Sequence, residues 1–274
     1  MSFRRVLIVL LVVFMLTGCS QKANNDQPAK VLRVGMECNY ATFNWTTTTK
    51  GATTVAISSV DYADGFDVVI ASMLAEKLGM EVQIVKLDWD NLIPALQHDQ
   101  IDAVIAGMTD TADRREIVDF TTPYYVSEEV VIVRQDGPLA NISAIAEMAG
   151  YRVQGQMNTI YDDIIEQISG VNHLPAAETF PAAIQALLAS GVDAVTSELP
   201  VAIGVVTANP SLTYIRFSGT NGFAGSEKDA SVSIAVKKGN SELLNSLQKA
   251  LDTISEADRQ QLMLDATDRQ PAGE

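Results

Sequence analysis

The chain has 274 residues, 47% hydrophobic and 19% charged, with 34 acidic against 19 basic side chains and a formal net charge of −15. That apolar fraction is too high for a disordered acidic tail, and the length allows one large domain or two lobes with cores of their own. No basic stripe is available to displace counterions from phosphates, which excludes nucleic acid as a partner, and Cys19 and Cys38 match neither a metal-site spacing nor a disulfide framework.

Arg4 and Arg5 precede an apolar run from Val6 to Leu16, followed by Leu16-Thr17-Gly18-Cys19 and a polar stretch from Ser20 to Lys30. A basic start, a short apolar run and small residues before a cut are the parts of a secretory signal peptide, and the run is short for a bilayer span. The Leu-x-Gly-Cys ending resembles a bacterial lipobox. This implies a signal peptide over residues 1–18, lipidation of Cys19 as the mature N-terminus, and a tether over residues 19–30. The mature chain would then be more acidic by the two lost arginines, extracytoplasmic, and attached to the membrane by its lipid. Cys38 is left as a buried thiol without a partner.

After the tether, Val31 to Met36 reads as a strand, Phe66 to Gly79 as a helix stopped by glycine, and Val82 to Val85 as the next strand. Leu92 to Leu96 begins a short helix carrying Pro94, and Ile101 to Ile105 is a continuous apolar strand. A loop at Ala106–Asp110 leads to a short helix from Thr111, and Val130 to Val133 is a further strand. The pattern then restarts. Tyr151 to Val153 is a strand, Tyr161 to Ile168 and Ala182 to Leu188 are helices, and Val192 to Thr196 is a strand whose Val-Asp-Ala mirrors Ile101-Asp102-Ala103. Ser231 to Val236 returns as a strand and Glu242 to Ile254 as an amphipathic helix. Two α/β units of similar logic predict two lobes, each a mixed sheet flanked by helices. Lobe 1 would comprise residues 31–130 and 231–274, and lobe 2 residues 131–230. The chain would cross between them near Glu128–Ile132 and near Asp229–Val232.

Four blocks resemble the polar amino-acid solute-binding proteins of ABC importers, family 3, over roughly residues 31–260. They are Leu32-Arg33-Val34-Gly35 leading to Tyr40-Ala41-Thr42-Phe43; Gly65-Phe66-Asp67; Ala106-Gly107-Met108-Thr109-Asp110-Thr111 through Arg114 to Asp119-Phe120; and Gly191-Val192-Asp193-Ala194. The resemblance implies the two-lobed type II periplasmic-binding fold with two hinge crossings, and an α-amino acid held between closing lobes.

The third block suits a carboxylate ligand on chemical grounds. A loop entering a helix presents unpaired N–H donors, Thr111 is a good N-cap, and Arg114 can offer a planar fork that a lysine lacks. In the family, the arginine five residues after a loop hydroxyl holds the ligand's α-carboxylate, which implies that role for Arg114, with Thr109 and Gly107 beside it. Arg115 is out of register and reads as a surface charge. Val153 to Thr159 stands where the family has a strand and a Gly-Thr turn. Asn158 replaces the glycine, a substitution the left-handed conformation tolerates, and Thr159 is implied to meet the carboxylate. Glu198, five residues after Asp193, matches a family aspartate that pairs with the α-ammonium. Tyr40 and Trp89 match positions flanking the ligand side chain, and Glu37 one that contacts basic or amide side chains. A carboxylate beside two aromatics favours a cationic side chain, and less strongly an amide. Lysine, arginine or histidine therefore rank first, then glutamine. Phe43 reads as core, and Trp45 as either cleft rim or packing. The Thr-rich stretch from Thr46 toward Asp64 reads as a hairpin at the cleft edge.

The sequence thus points to a lipid-anchored receptor that passes an amino acid to a membrane permease. It is expected to be a monomer with no catalytic residue, cofactor or metal. Two other readings stay open: a dehydratase-type enzyme on the same fold with Glu198 as general acid, and a sensing or adhesive lipoprotein. His98 and His173 read as surface residues, which leaves an enzyme short of acid–base partners.

Overall fold

A computed structural model describes residues 30–225 and 230–271. The expected signal peptide, Cys19, the tether through residue 29, and Asp229 at the expected second crossing lie outside the described residues. In chain order the elements are β1 (Val31–Met36), β2 (Asn39–Tyr40), β3 (Asn44–Thr47), β4 (Val55–Ala56), β5 (Tyr62–Asp64), α1 (Phe66–Lys77), β6 (Glu81–Lys86), α2 (Leu92–Gln97), β7 (Ala103–Val104), α3 (Ala112–Ile117), β8 (Val118–Val126) and β9 (Glu129–Arg134). There follow β10 (Arg152–Gln154), α4 (Ile160–Asp163), β11 (Asn172–His173), α5 (Phe180–Leu188), β12 (Ala194–Glu198), α6 (Leu199–Ala208), β13 (Leu212–Arg216), β14 (Ser231–Lys237), α7 (Ser241–Leu251) and α8 (Glu256–Arg269).

These strands form two five-stranded mixed sheets, in the orders β6-β1-β7-β14-β8 and β11-β10-β12-β9-β13, and a small sheet β2-β3-β5-β4. The two lobes share one plan. In each, three parallel strands are followed by an antiparallel strand that arrives from the other lobe. Strand β8 is an edge of the first sheet and β9 an inner strand of the second, whereas β13 is an edge of the second and β14 an inner strand of the first. The crossings run side by side, with Ser127 N donating to Ala230 O at 3.1 Å. Strand β9 begins at Glu129, ahead of the expected boundary at 130, because Glu129 already pairs with Glu198 of β12.

The mirrored segments Ile101-Asp102-Ala103 and Val192-Asp193-Ala194 do the same work in both lobes. Asp102 accepts from Arg33 N at 2.8 Å, Nε at 3.0 Å and Nη2 at 2.6 Å. Asp193 accepts from Arg152 N at 3.0 Å, Nε at 3.0 Å and Nη2 at 2.8 Å. Each aspartate therefore locks the strand start to the first of the parallel strands in its own sheet with a bidentate fork. The Arg152 fork, joined by a single bond from Arg134 Nη2 at 3.1 Å, holds the Asp193 carboxyl down at about 2.

Four elements lie where no periodic signal marks them. Strand β8 carries Pro123, which an edge strand tolerates because it leaves no inner ladder bond unmade. Helix α6 is apolar nearly all round and begins with Leu199-Pro200, so it shows no amphipathic stripe. Strand β13 is a short, half-buried edge. Helix α8 has only Met263 and Ala266 buried; it packs on α1 and β8 and also on α6, so the C-terminal helix touches both lobes. Among the described residues no helix is long and apolar enough to cross a membrane.

Candidate functional site

Both lobes end their parallel strands at the cleft, where α/β sheets place ligand sites. From lobe 1, Glu37 follows the last residue of β1, and Cys38, at φ 57°, turns the chain into β2 and Tyr40. Trp89 sits on a single helical turn after Asp88. The loop after β7 passes through Gly107 in the left-handed region, at φ 60°, and reaches Thr111, whose hydroxyl caps α3 by accepting from Arg114 N at 3.3 Å.

Arg114 is thereby placed in the first turn with its guanidinium turned back. Nη1 donates to Thr109 O at 2.8 Å, and Cζ lies 5.2 Å from the Trp89 ring centroid. Burial pushes the Arg114 pKa down from its ordinary value, opposed by the nearby Asp163. From lobe 2, β10 runs so close under the start of α4 that a Cβ on Gly155 would stand 2.5 Å from Asp162 Cα; only glycine fits there. Gln156, Met157 and Asn158 then lead to Thr159, whose hydroxyl donates to Gln156 O at 2.7 Å instead of capping α4.

The two lobes face each other across a small, partly open cavity. Glu37, Tyr40 and Trp89 line it together with Gly107, Thr109 and Arg114, and Thr159 faces them from lobe 2, so seven of the eight expected positions surround one cavity. The eighth, Glu198, does not line it. Strand β12 runs two residues past its expected end, because Ser197 and Glu198 still pair with Val130 and Glu129, and Glu198 is fully buried. Tyr40 Oη donates to its Oε1 at 2.8 Å, so the phenol stands between carboxylate and cavity. Its Oε2 makes no bond of normal length, although the hydroxyls of Ser127 and Tyr161 stand near enough to favour the ionised form. Burial outweighs them and pushes the Glu198 pKa up to about 7.

Glu37 is likewise raised to about 7, chiefly by burial, with the charges of Asp88 and Asp90 adding to the shift. Gln156 Nε2 opposes it, donating across the cleft to both carboxylate oxygens at 3.3 and 3.4 Å. Gln156 and Tyr161, both on the cavity wall, were not singled out from the sequence. A glutamine in a turn and a tyrosine in a first helical turn carry no distinctive signal. Nor does the support behind the loop: Asp67, fully buried, accepts from Tyr124 Oη at 2.6 Å and from Asn44 Nδ2 at 2.8 Å. Gly107 N in turn donates to Tyr124 Oη at 3.0 Å. This chain ties the Gly107 loop to the motif Gly65-Phe66-Asp67.

The remaining expectations divide. Phe43 is core, stacked on Tyr40 with centroids 5.8 Å apart. Trp45 is 5% exposed and belongs to the packing rather than the rim. The Thr-rich stretch forms β3, β4 and β5 of the small sheet. Cys38 is a free buried thiol, pushed up to about 12 by burial. Arg115 is half exposed but is no idle surface charge, since it pairs with the buried carboxylate of Asp110. His98 is exposed, whereas His173 is half-buried between Asp162, at 3.0 Å, and Glu166, at 3.1 Å.

The sequence matches the family model described as bacterial extracellular solute-binding proteins, family 3, over residues 32–265. It is 27% identical over 252 residues to the arginine-binding extracellular protein ArtP of Bacillus subtilis, covering 90% of this chain and 89% of that one. It is 26% identical over 257 residues to the L-cystine-binding protein TcyJ of Escherichia coli, covering 90% and 89%. An ancestral arginine-binding protein, solved bound to arginine, superposes with a TM-score of 0.72 at 30% identity over 86% of this chain and 97% of that one.

Proposed function

Because the chain belongs to the bacterial extracellular solute-binding proteins of family 3, we propose that it binds a polar α-amino acid between its lobes and delivers it to the membrane permease of an ABC importer. The observation that carries this reading is the meeting, in one cavity, of a half-buried guanidinium, Arg114, and a buried carboxyl group, Glu37, contributed by one lobe and covered by Gln156 and Thr159 of the other.

Arg114 takes the α-carboxylate, with Thr109 and Thr159 beside it. Trp89 and Tyr40 flank the side chain, which runs toward Glu37. The α-ammonium rests on the Tyr40 oxygen, whose proton is drawn toward Glu198, so that Glu198 acts through the tyrosine. A cationic side chain suits Glu37 best. Arginine comes first, given the ligand named for ArtP and present in the ancestral structure, and an amide such as glutamine next. Of the described residues, 31–128 and 230–271 form lobe 1 and 129–225 lobe 2, and a lipid on Cys19 holds the mature chain at the membrane. No catalytic step is assigned, because the acid an enzyme would need, Glu198, is walled off behind Tyr40.

Calorimetric titration of the protein with the twenty amino acids tests the reading. Micromolar or tighter binding that is lost in Arg114→Ala is expected; no heat and no thermal shift with any of them would overturn it. If binding is found, uptake of the labelled ligand after gene deletion separates transport from sensing, and unchanged uptake counts against the permease.

A further inference from the structure

Three hydrogen bonds across the cleft meet at Asn158. Its carbonyl oxygen accepts from Trp89 Nε1 at 3.1 Å and from Arg114 Nη2 at 2.9 Å, and its side-chain Nδ2 donates to Asp90 Oδ1 at 2.7 Å. All three partners belong to lobe 1. The residue sits in the left-handed region at φ 60°, which glycine adopts freely and asparagine tolerates. A glycine would keep the carbonyl in place but could not reach Asp90, and an aspartate would bring a second negative charge to it.

The location gives these bonds a role. Trp89 and Arg114 line both the inner cavity and a neighbouring open groove of about 850 Å³, whereas Asp90 and Asn158 line the groove alone. The pair Trp89–Arg114 is therefore the wall between the two, and Asn158 fastens it from outside. We infer that Asn158 is a positioning residue that clasps the lobes over the mouth of the cavity, and that its side-chain bond to Asp90 slows the departure of bound ligand. The inference rests on the proposed reading of the cavity as an amino-acid site. A bond formed only when the lobes meet favours the closed state by its own free energy, so its loss is read in the dissociation rate rather than the association rate.

The test uses stopped-flow tryptophan fluorescence of the full chain carrying Trp45→Phe, so that Trp89, itself bonded to Asn158, is the sole tryptophan. L-arginine is the ligand, and any amino acid that binds more tightly replaces it. Asn158→Gly is expected to raise the dissociation rate about threefold with the association rate unchanged. Asp90→Ala should do the same, and the double variant should add nothing further. Asp90→Asn keeps an acceptor while removing the charge that bears on Glu37, so it should dissociate like the parent.

An unchanged dissociation rate in Asn158→Gly, or additive effects in the double variant, would overturn the clasp. If no amino acid alters the parent's fluorescence, the amino-acid reading fails separately, and acrylamide quenching of Trp89 tests the clasp without ligand. A higher quenching constant in Asn158→Gly would uphold the clasp and an unchanged one would reject it.

Discussion

Tyr40 donates its hydroxyl to Glu198 at 2.8 Å across the cleft, joining β2 of one lobe to the end of β12 in the other. Both groups are buried, so the bond replaces two lost hydrations and its removal is felt in full. Tyr40→Phe strips Glu198 of this donor while keeping the ring that stacks on Phe43. A buried acceptor left unpaired costs about 1–3 kcal/mol, which corresponds to an affinity loss of roughly 5- to 150-fold if the cost falls on the closed state. Calorimetry reads the affinity, and urea unfolding reads whether stability falls with it. Unchanged affinity would show that the bond does not contribute to closure.

Stability is expected to decline as pH rises from about 4 to about 7. Glu37, Asp67 and Glu198 are each raised to about 7 by burial, against ordinary values of 4.5 for the glutamates and 3.8 for the aspartate. A carboxyl group with a raised folded value contributes stability that is complete below its unfolded value and lost as pH rises through its folded value. Asp193, held at about 2, works in the opposite sense and lower down: its contribution is present above its unfolded value and lost as pH falls toward 2. Thermal unfolding between pH 4 and 8 checks the first window. Asp67→Asn should flatten the curve, and a profile that rises steadily from about pH 4 to 7 would refute the assignment.

The charge of the ligand can be read from protons. A cationic side chain beside Glu37 favours the carboxylate, whose value is raised to about 7, so binding near pH 6.5 should release a proton and tighten as pH rises. A neutral amide side chain makes no such demand. Titrations in buffers of different ionisation enthalpy measure the release directly, and Glu37→Gln should abolish it. Binding of a cationic amino acid with no proton release would place its side chain away from Glu37.

Much of this cleft was legible in the sequence because its parts stand at element boundaries, which the chain marks chemically. The N-cap Thr111 and the spacing from Thr109 located the Arg114 loop, and Val192-Asp193-Ala194, echoing Ile101-Asp102-Ala103, located the start of β12. What stayed hidden depends on distance in space. Glu198 was expected after a strand that ends two residues earlier, because the ladder partner that extends it, Glu129, comes from the crossing strand. Gln156 meets Glu37 from 119 positions away, and Asp90 meets Asn158 from 68, in pairings without a local pattern. Strand β8 and helix α6 lacked periodicity for opposite reasons, one being interrupted by Pro123 and the other apolar nearly all round.

The loop that carries Gly107 and Thr109 is held from behind by Tyr124, and this support is expected to matter as much to binding as to folding. Tyr124 Oη accepts from Gly107 N at 3.0 Å and donates to Asp67 at 2.6 Å, all within a fully buried site. Tyr124→Phe therefore takes from the Gly107 amide its bond to the phenol, leaving it the nearby Asp67 carboxylate alone, and leaves Asp67 with Asn44 as its one remaining side-chain donor. An unsatisfied buried donor costs about 1–3 kcal/mol, and losing a bond to a charged acceptor adds to it. The loop can recover part of this cost by shifting until Gly107 N finds another partner, and such a shift moves Thr109 and, through the bond to Thr109 O, the Arg114 guanidinium. The expected result is a lower urea midpoint together with weaker ligand binding, measured on the same preparation. Asn44→Ala provides the comparison: it removes a donor to Asp67 without touching Gly107 N, so it should lower stability while leaving affinity closer to that of the parent. Equal loss of affinity in both variants would mean that Asp67 organises the site as a whole, and that the bond to Gly107 has no separate part in it.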